Sequence, residues 1–306
     1  MIGLKAIHRA ALPAILMLAV LTSASQAQQS YPTPEDAAAA LAAAVKSGSK
    51  SDILKVLGSA ADDIVSSGDE VADADTRLRF TSVYDAKHSI KTEGNKKGTL
   101  ILGNEDFPFP IPLVNTKTGW QFDTDEGRIE VLRRRIGRNE LDAIQTALAY
   151  VDAQNEYADK DRGEGVGVYA QRIVSSPGKK DGLFWRDDSD PSPLGELAAE
   201  ASSEGYKVDG QGAPPYHGYY FRILRGQGPD APGGALNYVV KGKMIGGFAL
   251  IAWPAEYGNS GVMTFLVNHA GAVYQKDLGK RTDAIASRTT LFDPDQTWKK
   301  VDATKP

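Results

Sequence analysis

Apolar positions recur along this chain with two periods, and the change from one to the other marks its elements. After Thr33, a residue suited to cap a helix, Pro34-Glu35-Asp36 opens an alanine-rich segment running to Ser47-Gly48. Proline fits the first helical position and the two acids fit the positive end of the dipole, so a helix is expected there. A second helix is expected over 51–65 on Ile53, Leu54, Leu57 and Ile64, and a third over 72–87 with Leu78, Phe80, Val83 and Tyr84 near one face. The pattern then becomes extended at 98–102, 109–114 and 120–122, with Asn115 to Gly119 as a turn. The prolines of the run Phe107 to Pro112 remove ladder donors, so that run reads as an edge or a strand entrance.

A helical period returns at Asn139, expected as an N-cap, and carries Leu141, Ile144, Leu148 and Val151 toward Tyr157. A polar loop (159–167), a proline- and acid-rich stretch (187–193) and a short helix (194–204) follow. Strands are expected over 219–224, 238–241, 244–253, 262–268 and 272–276. The connectors 232–234, 242–243, 258–261 and 268–271 are rich in glycine and asparagine, and such short links between consecutive strands imply an antiparallel meander.

The N-terminus changes the picture of where this happens. Lys5 and Arg9 precede an apolar run from Ala10 to Leu21, and Ser25-Gln26-Ala27 supplies small residues at a cleavage site. A signal peptide removed after Ala27 is expected, because the run is shorter than the roughly 20 residues that span a bilayer. No cysteine is present, which excludes disulfides, thiolate metal sites, cysteine catalysis and a lipid-modified N-terminal cysteine. Without Lys5 and Arg9, the 35 basic side chains become 33 against 39 acidic ones, a net charge of −6. That balance argues against a nucleic-acid or anionic-membrane partner, and no membrane span is expected after cleavage.

Helices followed by a curved antiparallel sheet that ends in Gly119-Trp120-Gln121-Phe122 resemble the nuclear transport factor 2-like fold. One long helix followed by a meander resembles the globular head of a type IV pilin or pseudopilin, although here a whole unit precedes the helix. A closer resemblance covers nearly the whole chain beyond the leader. The stretches Ser66 to Asp69, Phe107 to Pro112, Gly137 to Leu141 with Ala147 to Tyr157, Ser176 to Lys179, Pro215 to Tyr220, and Gly258 to Gly279 are similar to the bacterial exported family called domain of unknown function 2950. The resemblance implies export and one shared architecture; it carries no catalytic residue.

Candidate chemistry is sparse. Gly258-Asn259-Ser260-Gly261 is faintly like the surroundings of a trypsin-type nucleophile, with His88 upstream, but flanking apolar strands favour a turn. Asp159-Lys160-Asp161-Arg162-Gly163 begins like a calcium loop, yet Glu164 and Ala170 stand where glycine and glutamate are required. His88, His217 and His269 lack metal-ligand spacing. Gly163 to Gly167 follows a helix rather than a strand, which excludes a dinucleotide loop. Arg133-Arg134-Arg135, with Arg128 and Arg138, is read as a solvated helix face or an interdomain contact. Near the strand at 219–224, Tyr219, Phe221 and Ile223 are expected to face the core, and Tyr216, His217, Tyr220 and Arg222 form either a sheet face covered by a loop, the reading preferred, or a candidate interaction surface.

The expected architecture is α+β: a leader (1–27), helices plus a curved antiparallel sheet (28–136), a long helix on an antiparallel meander (137–280) and a C-terminal extension (281–306). No cofactor and no metal are expected. Three functions follow from different premises. One is a non-catalytic envelope protein that binds another protein or a surface polymer. Another is a small-molecule or peptide binder that uses a cavity in the N-terminal unit. The third is a hydrolase of unrecognised type.

Overall fold

The computed structural model describes residues 28–187, 189–207 and 214–302; the expected leader lies outside the described residues. The chain has an α+β fold, as the sequence pattern predicts. Helix α1 (Pro34–Ser47) begins with the Thr33 side chain accepting from Asp36 N and ends at Gly48, whose φ of +69° suits glycine. The second expected helix is broken. Gly58 adopts φ +88°, ending α2 (Lys50–Leu57), and a short 3-10 turn leads into α3 (Asp62–Val65). Helix α4 (Glu70–Ala86) starts earlier than expected because Asp69 caps it by accepting from Val71 N and Ala72 N.

On α4 only Tyr84 is buried, while Leu78 is 69% exposed. Leu78 and Phe80 stand two positions apart, which at 3.6 residues per turn puts them on different sides, so the expected single face does not form.

The first sheet is antiparallel, in the order β1-β2-β4-β5: β1 (His88–Glu93), β2 (Lys97–Leu102), β4 (Leu113–Thr116) and β5 (Gly119–Phe122), with β3 (Phe107–Pro108) paired to the end of β2. Strand β1 has no apolar alternation and its residues are almost all exposed, which is why the pattern did not predict it. Against this sheet α1 and α2 close a core of Ala37, Leu41, Ile53, Leu57, Leu113, Trp120 and Phe122.

Helix α5 (Thr124–Ala158) then runs unbroken for 35 residues through the expected junction at Arg133 to Arg135. Its N-cap is Asp123, which accepts from Glu126 N, and Asn139 lies well inside the helix. At Gly127 an added Cβ would lie 2.5 Å from Ile111 Cα, so the first half of α5 sits directly against the N-terminal unit. The second half packs Ala143, Ala147, Tyr150 and Val151 on the second core, with Tyr219, Phe248, Ile251, Phe265 and Phe292.

After α6 (Gly195–Glu204) comes β6 (Tyr219–Leu224), matching its expected bounds. Short strands β7 (Gly226–Gln227), β8 (Leu236–Asn237), β9 (Val239–Val240) and β10 (Lys243–Met244) form two small ribbons. The main sheet has the order β14-β13-β12-β11-β6, all antiparallel, from β11 (Ala249–Pro254), β12 (Met263–Asn268), β13 (Val273–Asp277) and β14 (Lys299–Lys300). The segment expected as an extension belongs to this body. Helix α7 (Thr282–Ala286) lies against β11, Phe292 is fully buried, and β14 is the sheet edge.

Candidate functional site

Four short stretches far apart in sequence meet where the N-terminal unit touches the main sheet. Asp69, at the start of α4, is 2% exposed. One oxygen caps the helix; the other accepts from Tyr206 Oη and Gly218 N, both at 2.9 Å. Asn139 on α5 donates to Ser260 O at 2.9 Å, and Glu140 accepts from Val262 N and Met263 N. Asn259 donates to Ser66 O at 2.9 Å and to Glu256 at 2.8 Å. The Arg135 guanidinium completes the joint by donating to Asp63 O, Ile64 O and Asn259 Oδ1, and burial pulls its pKa down.

His217 and Gly218 both have positive φ (+48° and +76°) and form the two-residue turn that joins Tyr216 to Tyr219 through two backbone hydrogen bonds. Positive φ is strained for histidine, and the ring is held on both sides. Nδ1 lies 3.0 Å from Asp142 Oδ2, and Nε2 lies 2.8 Å from Glu204 Oε2. Burial lowers the imidazole pKa, but the two carboxylates outweigh it and push it up to about 9. Tyr216 packs on Tyr206 at 5.0 Å between ring centres.

Beside this joint opens a cavity of about 410 Å³ between α4, α5 and the first sheet. Its floor is apolar: Leu41, Ile53, Ile64, Phe80, Phe109 and Ile111. The joint forms its far wall, where Asp142, Glu204, Tyr206 and His217 stand. Arg77 and Arg79 from α4 and Arg134, Arg135 and Arg138 from α5 also line it. Arg138 lies three residues from Arg135 and four from Arg134, which puts the three on one helix face. The cavity explains the thin burial on α4, whose inner residues Ala72, Thr76, Phe80 and Val83 border it. A shallower depression of about 360 Å³ lies beside Gln28, whose amide is already engaged with Val56 O and Phe122 O.

The four residues expected to share one surface are divided between two places. Tyr216 and His217 belong to the joint, with His217 on the cavity wall. Tyr220 stacks 5.6 Å from Trp253, and the Arg222 guanidinium donates to the carbonyls of Ala286, Ser287 and Thr289 at the end of α7. As an edge strand β6 is partly covered on both faces, so its burial does not alternate as a half-exposed strand would: Tyr220 to Ile223 are all partly buried, whereas Tyr219 is fully buried.

Ser260 is fully buried and its hydroxyl accepts from Glu256 N, so the 258–261 segment is a turn that ties the two units together. At the calcium-like loop, Asp161 Oδ1 accepts from Gly163 N and Gly165 N, and these bonds lower its pKa. Arg162 of the same loop lies over the Tyr157 and Trp185 rings, with Nη1 3.5 Å from Asp190 Oδ2.

Of the two readings of the arginine run, Arg135 takes that of a contact between the units; Asp69 and Asn259 carry no local signal of their role, although they lie within stretches that carry the family resemblance. Among the described residues no helix is long and apolar enough to cross a membrane. Neither the curated proteins nor the solved structures contain a match to the chain. The match that does appear spans both units and the joint between them: over residues 28–301 the chain belongs to the family described as Protein of unknown function (DUF2950).

Proposed function

We propose that this protein is a non-catalytic binding protein that takes a small, largely apolar ligand into the cleft between α4, α5 and the first sheet. The observation that carries the reading is the cleft itself. Its volume of about 410 Å³ falls within the ~300–1,000 Å³ typical of ligand sites, and its lining is mostly apolar. A helix such as α4, with one buried side chain, gains packing when something fills the space beneath it. A catalytic role finds less support, since His217 is held as an imidazolium near neutral pH and Ser260 is buried in a turn. On the reading of residues 1–27 as a cleaved leader, binding takes place in the periplasm or outside the cell.

The test is titration with a neutral, environment-sensitive apolar dye, N-phenylnaphthylamine, into the wild-type protein and into Ala72→Phe, which places a ring in the cleft. Saturable enhancement in the wild type, lost in a variant that still melts cooperatively, is the expected result. Absence of saturable enhancement, or equal enhancement in both proteins, would overturn the reading.

A further inference from the structure

The charges around the cleft do not cancel once each is assigned to its partner. Arg79 pairs with Asp75 at 2.6 Å. Asp142 and Glu204 share the single positive charge of His217, so that trio keeps one negative charge, while Asp73 accepts from Ser67 N and its charge offsets that of Arg135. Arg135 is spent on two backbone carbonyls and Asn259. Three guanidinium groups are left over. Arg77 and Arg138 make no hydrogen bond and no ion pair among the described residues. Arg134 pairs through Nε with Glu130 at 2.7 Å and lies 4.9 Å over the Phe107 ring, but its Nη1 is buried without a hydrogen-bond partner. That Nη1 is shut off even from a water-sized atom, so the donors open to a ligand are Arg134 Nη2 and the guanidinium groups of Arg77 and Arg138, and the acceptor that suits them best is an anionic oxygen. The rest of the accessible lining is mostly hydrocarbon.

Resting on the cleft reading above, we infer that the ligand is a single-chain amphiphile with one anionic head. The tail lies on Leu41, Ile53, Ile64 and Phe109, and the head is held by Arg134 and Arg138, with Arg77 facing it from α4. Planar guanidinium groups suit a carboxylate, because two N–H donors match its two oxygens.

The experiment is displacement of bound N-phenylnaphthylamine by decanoate, by decanol, which has the tail without the charge, and by acetate, which has the charge without the tail. Decanoate is expected to displace the dye at least about tenfold more tightly than decanol, the increment of one charge-assisted pair, with acetate ineffective. Arg138→Gln and Arg77→Gln remove no bond within the protein, so they should fold normally. Together they should erase most of the preference for decanoate while leaving decanol unchanged. Equal displacement by decanoate and decanol would overturn the anionic head and leave the cleft reading intact. Competition by acetate as strong as by decanoate would overturn the amphiphile. A dye that never binds would bring down the cleft reading itself.

Discussion

Replacing Asp69 with alanine removes four hydrogen bonds from one buried carboxylate, two that cap α4 and two that reach Tyr206 and Gly218 across the joint. Loss of the cap costs about 1 kcal/mol. Leaving the Gly218 N–H and the Tyr206 hydroxyl without their acceptor costs about 1–3 kcal/mol each, so Asp69→Ala should destabilise the protein by about 3–7 kcal/mol. Against a total of ~5–15 kcal/mol this is a large share. Serine separates the two roles, because its hydroxyl caps a helix well but cannot also span to Gly218. Asp69→Ser should therefore recover about 1 kcal/mol relative to alanine and still lose about 2–6 kcal/mol relative to wild type. Urea unfolding at neutral pH reports both differences, followed by tryptophan fluorescence and far-UV circular dichroism and compared at equal slope. Trp120 reports the first core, and Trp185 and Trp253 the second. An Asp69→Ser protein within about 0.5 kcal/mol of wild type would refute the bridge, and would leave Asp69 as a helix cap only.

His217 makes stability depend on pH with a definite sign. Its folded pKa of about 9 lies above the unfolded value, so its contribution is complete below about pH 6.5 and is lost as pH rises through 9. Unfolding free energies at pH 6 and pH 9.5 should differ by up to about 3 kcal/mol in wild type and by much less in His217→Gln; an equal difference in both would refute the assignment. At Gly261 an added Cβ would lie 2.1 Å from the Tyr219 hydroxyl, which itself donates to Met263 O, so Gly261→Ala should cost about 1–3 kcal/mol or more in urea unfolding. A neutral Gly261→Ala would mean that Tyr219 is free to move aside.

Where the signal was local, sequence and structure coincide. Strand β6 follows a dense aromatic run and ends where expected, and α1 carries its cap, its proline and its terminal glycine in adjacent positions. The first half of α5 escaped because its apolar residues build no single stripe among the arginines. Ile129 is 67% exposed, and Gly137, a poor helix former, stands in the middle with open space around it. Strand β1 escaped for a similar reason, being an exposed edge with nothing to alternate.

The joint was legible only in pieces. The stretches around Asp69, Asn139, His217 and Asn259 were marked by the family resemblance, but the bond from Asn259 to Ser66 spans 193 residues. Hydrophobic periods describe the faces of single elements and carry no information on which loops meet. Arg222 shows the same limit: the period of two places it off the core face, and only the path of the chain through α7 supplies the carbonyls that occupy it.

Entry of a ligand beneath α4 is read out by hydrogen–deuterium exchange with and without saturating decanoate. Amides of α4 and of the α5 stretch from Val131 to Asp142 border the cleft, whereas β11, β12 and β13 lie in the second core. Slower exchange is expected in the first set alone, with the sheet unchanged, because α4 opens by local fluctuation and a ligand that fills its inner face closes that route. Protection that appeared in the sheet alone, or an α4 that exchanged as fast with decanoate as without it, would contradict the account.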